Sequence, residues 1–426
     1  MNPVVLSLAF SAAILVSLLI KFWLATRQMR HVAAHRGAVP AAFAATVPLE
    51  AHQKAADYTL AKLRFGIVSE AFGSAVLIGW TLLGGLAWLN GVVQDLVLAR
   101  WGGMAYQLLL VGAFVLVGAL LDLPFDLYRT FRLEQRFGFN KTTPALYATD
   151  LVKSTLLGIA IGGPLLAAVL WIMQATGAHW WVWAWVALSA FQLLTMVIYP
   201  TVIAPLFNKF EPLADEALVG RVQSLMQRCG FRAKDFFVMD GSRRSAHANA
   251  YFTDFGAAKR VVFFDTLLKR LNGDEVEAVL AHELGHFARG HIPRLLTVRF
   301  ALVLGLLALL GWLYKEPAFY EALGLASAHI GALLAGFALV VPVFTFPFQP
   351  LASLMARRQE FEADAFAAQH ASAASLASAL AKLYRDNAST LTPDPLHSLV
   401  YDSHPPAALR IDHLRKADPL NGTASP

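Results

Sequence analysis

Residues 154–208 contain no Asp, Glu, Lys or Arg. A helix needs roughly 20 apolar residues to cross about 30 Å of hydrocarbon, so this run is too long for a single crossing. Residues 174–179 interrupt it with a polar turn that contains glycine. The run therefore predicts two consecutive membrane-spanning helices, the fourth and fifth of the chain.

Five further stretches are apolar and long enough to predict spans. The composition agrees, since 57% of the residues are hydrophobic and 15% are charged, against about 45–50% and about 25% in soluble domains. The predicted fold class is therefore mainly α, a polytopic bundle or barrel of seven transmembrane helices. The five stretches are residues 4–20 with an extension to 25, residues 71–94, 101–121 and 300–314, and a stretch within 322–356.

Lysine and arginine alternate in density from one predicted connection to the next. The first, third and fifth connections and the C-terminal tail are basic, whereas the second contains only Arg100, the fourth none and the sixth only Lys315. Basic connections stay in the cytoplasm, so the N-terminus is predicted outside. Because the basic residues sort by membrane side, the net charge of +6 predicts no nucleic-acid partner. The first basic residue, Lys21, follows the first apolar stretch, which predicts an uncleaved anchor.

The chain divides into four predicted regions. Cys229 is the only cysteine, which excludes an intrachain disulfide and a cysteine-based zinc site. In the polar region, we expect a helix over 213–229, strand-like runs at 236–240 and 260–265, and a helix from about 274 to 289. Residues 421–426 are expected to be frayed. The regions are 1–208 with five transmembrane helices, 209–295 as a cytoplasmic polar segment with a small β element, 296–356 with two more helices, and 357–426 as a C-terminal segment.

Residues 282–286 read His-Glu-Leu-Gly-His. On a helix, His282 and His286 are one turn apart and project to one side, so both imidazoles can bind one metal ion. Glu283 is offset and can act as a general base on water without being a ligand. The alternative is an ordinary pair of surface histidines, but the motif begins within the apolar run 276–284. The motif predicts one catalytic Zn²⁺ per chain.

Catalytic zinc usually has three protein ligands, so a third is expected. Glu360 is the favoured candidate, with Asp364 one turn later to accept the other ring N–H of a ligating histidine. Glu362 is a rival that would project to a different face. We reject His291 as a ligand because on a continuous helix it lies about 140° around from His286. It is expected to be a polar residue near the membrane surface.

Taken together, these motifs resemble those of the type I CAAX prenyl endopeptidases, which are integral-membrane zinc proteases of the gluzincin type. The resemblance implies zinc on His282, His286 and Glu360, with Glu283 as general base, and seven long helices around a large intramembrane chamber. Short spacing between the motifs, and no endoplasmic-reticulum retrieval signal at the end of the sequence, indicate a bacterial member in the inner membrane. The resemblance extends over nearly the whole chain and is carried by residues 137–143, 249–252, 282–286, 357–366 and 403–406.

Asn249, Ala250 and Tyr251 are candidate substrate-binding residues. They read locally as a short exposed strand, to whose edge an extended peptide could add through main-chain hydrogen bonds. The alternative is a hairpin loop with no role in substrate binding.

His404 and Arg410 lie in the C-terminal region. His404 precedes two prolines and is a candidate hydrogen-bond donor to the oxyanion that forms during hydrolysis. Without the family resemblance it reads equally well as a surface histidine. Arg410 could neutralise charge near Glu360 or cap a helix.

The predicted function is hydrolysis of peptide bonds near the membrane, with peptides or lipidated peptides as substrates and membrane lipids as partners. One alternative is a quality-control protease that cuts membrane proteins without sequence preference. Another is a transporter or receptor with a structural zinc. A structural site is usually closed by four protein ligands and has no use for Glu283. A monomer is compatible with all three readings.

Overall fold

The computed structural model describes residues 2–231, 235–253, 260–325 and 329–417; residues 421–426, expected to be frayed, lie outside these ranges. Helices dominate the fold, which confirms the predicted class. The helices are α1 (Pro3–Ala34), α2 (Leu49–Trp80), α3 (Gly85–Val93), α4 (Ala99–Tyr128), α5 (Gln135–Phe137), α6 (Pro144–Ala175), α7 (Trp180–Ile198), α8 (Ala204–Phe207), α9 (Glu216–Arg228), α10 (Asp265–Leu268), α11 (Gly273–Ala288), α12 (His291–Leu313), α13 (Pro317–Ala322), α14 (Ile330–Thr345), α15 (Gln349–His370), α16 (Ala373–Asp386), α17 (Pro395–Tyr401) and α18 (Ala407–Ala417). The strands are β1 (Phe210–Pro212), β2 (Asp235–Met239), β3 (Ala250–Thr253) and β4 (Arg260–Phe264).

Seven helical segments of the described chain are long and apolar enough to cross a membrane, as predicted. The second predicted span, residues 71–94, is wrong in position. Helix α2 ends at Trp80, and Gly84 has a φ of +77° that turns the chain into α3. Charged residues inside α2 concealed its extent, and Glu70 is accommodated there by an ion pair with Lys21 of α1. Ionisable groups within apolar spans commonly pair in this way.

The spanning helices form an open arrangement. In six of the seven segments, only 6–17% of the residues in the most apolar window are buried. A tight bundle buries one face of every helix, so these helices are exposed on more than one side. Cavities of about 380 and 320 Å³ share Lys62, Gly66 and Glu70 of α2 as lining residues. This arrangement agrees with the predicted barrel around a chamber.

The polar region contains a four-stranded sheet in the order β1-β2-β4-β3. Strands β2 and β4 are parallel, while β1 and β3 are antiparallel to their neighbours. The two predicted strand-like runs correspond to β2 and β4. Strand β3 is the last strand of the sheet, and within the described ranges only β4 pairs with it. Its outer edge can therefore accept another extended chain.

Helices α9, α11 and α16 share a hydrophobic core with this sheet. The core includes Val222, Phe263, Leu284 and Leu376, all almost fully buried. Helix α11 also lies against α15. Burial of the apolar side of α11 thereby turns its two histidines toward α15, which carries the candidate third ligand.

Candidate metal centre and active site

The start of helix α11 is fixed by a capping box. The Asn272 side chain accepts a bond from the Glu275 N–H at 2.9 Å, and the Glu275 carboxylate accepts one from the Asn272 N–H at 2.9 Å. Glu275 also accepts bonds from Ser378 and Lys382 of α16 at 2.7 and 2.8 Å. Burial raises the pKa of Glu275, but Lys382 and the capping bonds outweigh it, and the net pKa is lowered.

Gly285, between the two histidines, permits a close approach of α15. A Cβ atom at this position would lie 3.0 Å from the Cα of Ala363, closer than side-chain carbons normally approach a backbone. The helices therefore touch at backbone distance beside the motif. This contact brings Glu360 to the two imidazoles.

His282, His286 and Glu360 converge on one point. The two Nε2 atoms are 3.3 Å apart, His282 Nε2 lies 3.5 Å from Glu360 Oε2, and His286 Nε2 lies 3.4 Å from Oε1. In tetrahedral zinc sites with bonds of about 2.0–2.1 Å, ligand atoms are separated by about 3.3–3.4 Å. Among the described residues, these three form the group of His, Cys, Asp or Glu that could hold a metal ion. The donor set therefore fits zinc.

His282 is supported from the protein interior. Its Nδ1 lies 2.8 Å from Asp364 Oδ1, and the fully buried Asp364 carboxylate accepts two bonds from Arg410, at 2.8 and 2.6 Å. Arg410 is itself buried and bridges to Glu360. These contacts favour charge compensation at the site over capping of a helix.

Glu360 has a carboxylate oxygen without a hydrogen bond. Its Oε2 is buried and accepts none, although Arg410 Nη1 lies 3.1 Å away as an ion-pair partner. The short distance without hydrogen-bond geometry means that the attraction is mainly electrostatic. A buried oxygen in this state is normally satisfied by a partner, and a cation between Glu360 and the imidazoles would satisfy it.

The pKa of His282 reflects competition between burial and its carboxylate partners. Burial lowers it, but the contacts with the Asp364 and Glu360 carboxylates outweigh burial and raise the pKa to about 9. The site thus favours positive charge at Nε2. A proton and a metal cation compete for that position.

His286 is supported differently, from the rim of the site. Its Nδ1 lies 3.0 Å from His291 Nδ1, and His291 Nε2 lies 2.9 Å from Glu362 Oε2. His291 is 2% exposed and is the first residue of α12, a helix long and apolar enough to cross a membrane. Among the residues that the structure describes, neither His291 nor Glu362 joins the group of potential ligands.

A helix break explains why the contact between His286 and His291 was missed. The angle of 140° assumed a continuous helix, but Gly290 has a φ of +66° and His291 starts α12. The signal was present in the sequence as Gly290, a residue that commonly ends helices. His291 folds back beside His286 because the chain changes direction there.

His404 also faces the ligand group. Its Nε2 lies 3.3 Å from Glu360 Oε1 and the side chain is 60% exposed, while Ser403 Oγ lies 3.0 Å from its Nδ1. Arg357 of α15 donates to the carbonyl of Asp402 at 2.9 Å, which anchors the segment that carries His404. A largely exposed imidazole beside buried ligands can reach a bound substrate.

Asn249 and Ala250 lie where strand β3 begins, with Asn249 O accepting a bond from Phe264 N at 3.1 Å. Strand β3 lies against α11, the helix that carries the motif. The backbone of Tyr251 lies within β3. Glu283 is half-buried on α11, next to His282.

Comparisons with known proteins cover both the membrane helices and the polar region of the chain. Residues 28–209 match the family model of the CAAX prenyl protease N-terminal region with five membrane helices, and residues 212–418 match peptidase family M48. CAAX prenyl protease 1 of Saccharomyces cerevisiae is 35% identical, with 86% of each chain covered. The Arabidopsis thaliana homolog is 34% identical, with 88% of this chain and 89% of that protein covered. The crystal structure of S. mikatae Ste24p superposes with a TM-score of 0.88 at 33% identity, covering 96% of this chain and 98% of that one.

Proposed function

This chain belongs to peptidase family M48, among the CAAX prenyl protease 1 homologues, and from that premise we propose that it cleaves C-terminal CAAX-type peptides with one bound Zn²⁺. It is an integral-membrane metalloendopeptidase. The observation that carries the proposal is the convergence of two imidazole nitrogens and one carboxylate, 3.3–3.5 Å apart. Beside them lies strand β3, whose outer edge has no strand partner among the residues that the structure describes.

We assign the metal to His282, His286 and Glu360. Bound there, zinc would supply a Lewis acid that polarises the scissile carbonyl and makes water a stronger acid. Asp364 holds the ring proton of His282 on Nδ1, so that Nε2 presents its lone pair to the site. Arg410 balances the two buried carboxylates, which keeps both ionised.

Glu283 acts as the general base. It takes a proton from the attacking water, whose oxygen bonds to the scissile carbonyl carbon. His404 donates a hydrogen bond to the carbonyl oxygen as that oxygen gains negative charge. Glu283 then returns the proton to the amide nitrogen as the C–N bond breaks, which yields a carboxylic acid and an amine; the acid then passes its proton to the amine.

The substrate binds as an added strand. The main chain of residues 249–251 offers hydrogen bonds that do not depend on side-chain identity. The barrel gives a lipid-linked peptide a path from the membrane and excludes folded proteins. These features support lipidated peptides with an extended C-terminal segment as substrates.

The active site is assigned to the cytoplasmic side of the membrane. The support is the alternation of lysine and arginine between predicted connections, which puts the N-terminus outside and the polar region inside. The bacterial inner membrane remains a prediction from the spacing of the motifs.

The general-base assignment is tested by E283Q. We expect the purified variant to retain one zinc per chain by elemental analysis and to lose about 10²–10⁴-fold in kcat. E211Q, which removes an exposed carboxylate from β1, serves as the matched control with unchanged kcat. Unchanged hydrolysis by E283Q would reject the assignment.

Substrate class is tested with a farnesylated CAAX peptide and its unlipidated counterpart. Preferential cleavage of the farnesylated peptide at its C-terminus supports CAAX-type specificity. Equal cleavage of both, together with cleavage of an unrelated misfolded membrane protein, would favour the quality-control alternative, for which the open edge of β3 is equally suited.

A further inference from the structure

We propose that His291 and Glu362 form a relay that positions His286 for metal binding. The relay starts at the ring nitrogen of His286 that faces away from the ligand group and ends at a carboxylate on the rim. The proposal rests on the proposed metal site and adds two positioning residues to it, neither of which binds the metal.

The distances determine where the protons lie. His282 Nε2 and His286 Nε2 are 3.3 Å apart, and both must be without a proton to bind one cation. The neutral ring of His286 then carries its proton on Nδ1. That N–H needs an acceptor, and His291 Nδ1 lies 3.0 Å away.

The second step follows from the first. Because His291 accepts on Nδ1, its own proton is on Nε2, and this N–H donates to Glu362 Oε2 at 2.9 Å. With the proton of His286 on Nδ1 and that of His291 on Nε2, each of the two contacts joins a donor to an acceptor. The carboxylate thereby fixes the tautomer of His286 through an intervening imidazole, as carboxylates do directly for other metal-bound histidines.

Burial argues against a merely structural contact. The His291 side chain is 3% exposed, whereas Glu362 is 47% exposed. An ion pair with such an exposed partner contributes about 0–1 kcal/mol to stability, too little to explain a buried polar ring between two helices. The His291 ring instead links Glu362 on the rim to His286.

The chain segment supports the same geometry. Gly290 turns the backbone with a φ of +66°, so that His291 folds back onto α11 instead of following it. Glu362 lies two residues after Glu360 on α15, on the side that faces His291. The relay therefore connects α11, α12 and α15 around one imidazole.

The test measures zinc affinity by competition with a chelator, using the full-length protein in detergent. Outer partners of zinc ligands typically contribute about 10–100-fold in affinity. We expect Kd to rise about 10-fold in E362Q and up to about 100-fold in H291L. H291N places an amide oxygen near the position of Nδ1 and should recover most of the affinity lost in H291L.

A double-mutant cycle separates a relay from two independent contacts. Glu362 acts only through His291, so the variant with both E362Q and H291L should bind zinc no more weakly than H291L alone. The visible absorption of the Co²⁺-substituted protein should change in E362Q and stay unchanged in the control E211Q. Thermal midpoints of the metal-free variants should lie within about 4 °C of that of the metal-free parent protein, which separates positioning from folding.

Two outcomes would overturn the relay: an unchanged Kd in both E362Q and H291L, or multiplicative effects in the double variant. Failure of the proposed function is distinguishable, since the parent chain would then bind no stoichiometric zinc or E283Q would remain active. If the parent protein binds zinc and cleaves peptide while E362Q and H291L bind zinc as tightly as the parent, only the relay is rejected.

Discussion

The two candidate histidine ligands are held by contrasting surroundings. His282 contacts a buried carboxylate directly, and that carboxylate depends on a buried arginine. His286 reaches an exposed carboxylate through a second imidazole. We call the first set (His282, Asp364, Arg410) the interior arm and the second (His286, His291, Glu362) the rim arm. Orienting a histidine by a carboxylate requires more desolvation in the interior than on the rim, because a buried carboxylate must be compensated by a buried cation.

The largest expected difference between the arms is in stability. R410L leaves Asp364 and Glu360 buried without their cation, and loss of one partner from a buried pair costs about 3–5 kcal/mol. E362Q on the rim should cost less than about 1 kcal/mol. Denaturant unfolding of the metal-free proteins measures both. R415L, at an exposed position on the same helix α18, is the matched control. Equal destabilisation by R410L and E362Q would contradict the distinction between the arms.

The next difference is in metal affinity. D364N keeps an oxygen near His282 Nδ1 but removes the charge that orients the ring and balances Arg410. We expect zinc Kd to rise about 100-fold, at the upper end of the range for outer partners, against about 10-fold in E362Q. Chelator competition on both variants measures the ratio. A smaller effect in D364N than in E362Q would reverse the order of the arms.

The interior arm was more predictable from sequence than the rim arm. Glu360 and Asp364 are spaced by four residues on one helix, which places them on the same face whatever the tertiary fold. The number of membrane spans and the strands β2 and β4 were predicted for the same reason, since their patterns are local. His291 lies across a helix break, so its contact with His286 depends on a backbone reversal that periodicity does not describe.

Arg410 and the second span show two other limits of sequence reasoning. Arg410 comes from a separate helix, and only tertiary packing brings it to Asp364. Helix α2 extends well before the predicted span, and an ion pair between Lys21 and Glu70 accommodates charge just before the start of that span. A search for uncharged residues cannot detect such compensation.

Both arms depend on the close contact of α11 and α15, which G285A tests. The added Cβ would lie 3.0 Å from Ala363 Cα, and overpacking of this kind costs about 1–3 kcal/mol. Zinc affinity should fall as well, because Glu360 is displaced from both histidines. G220A on α9, where a Cβ meets nothing within 4 Å, should instead stabilise by about 0.5–1 kcal/mol. Stabilisation by both substitutions would show that the helices do not need glycine at this contact.

The smallest expected effect concerns Glu275, which fixes the start of the helix that both arms share. E275Q weakens the capping box and the pair with Lys382, and should destabilise by about 1–2 kcal/mol at pH 7. The pKa of Glu275 is lowered in the folded protein, so this contribution is present above the unfolded value of about 4.3 and is lost as pH falls through the folded value. Unfolding midpoints of the parent and the variant should therefore converge as the pH is lowered below about 4. If the gap instead stayed constant down to pH 3, the carboxylate would act through shape rather than charge, and the order of the two arms would be unaffected.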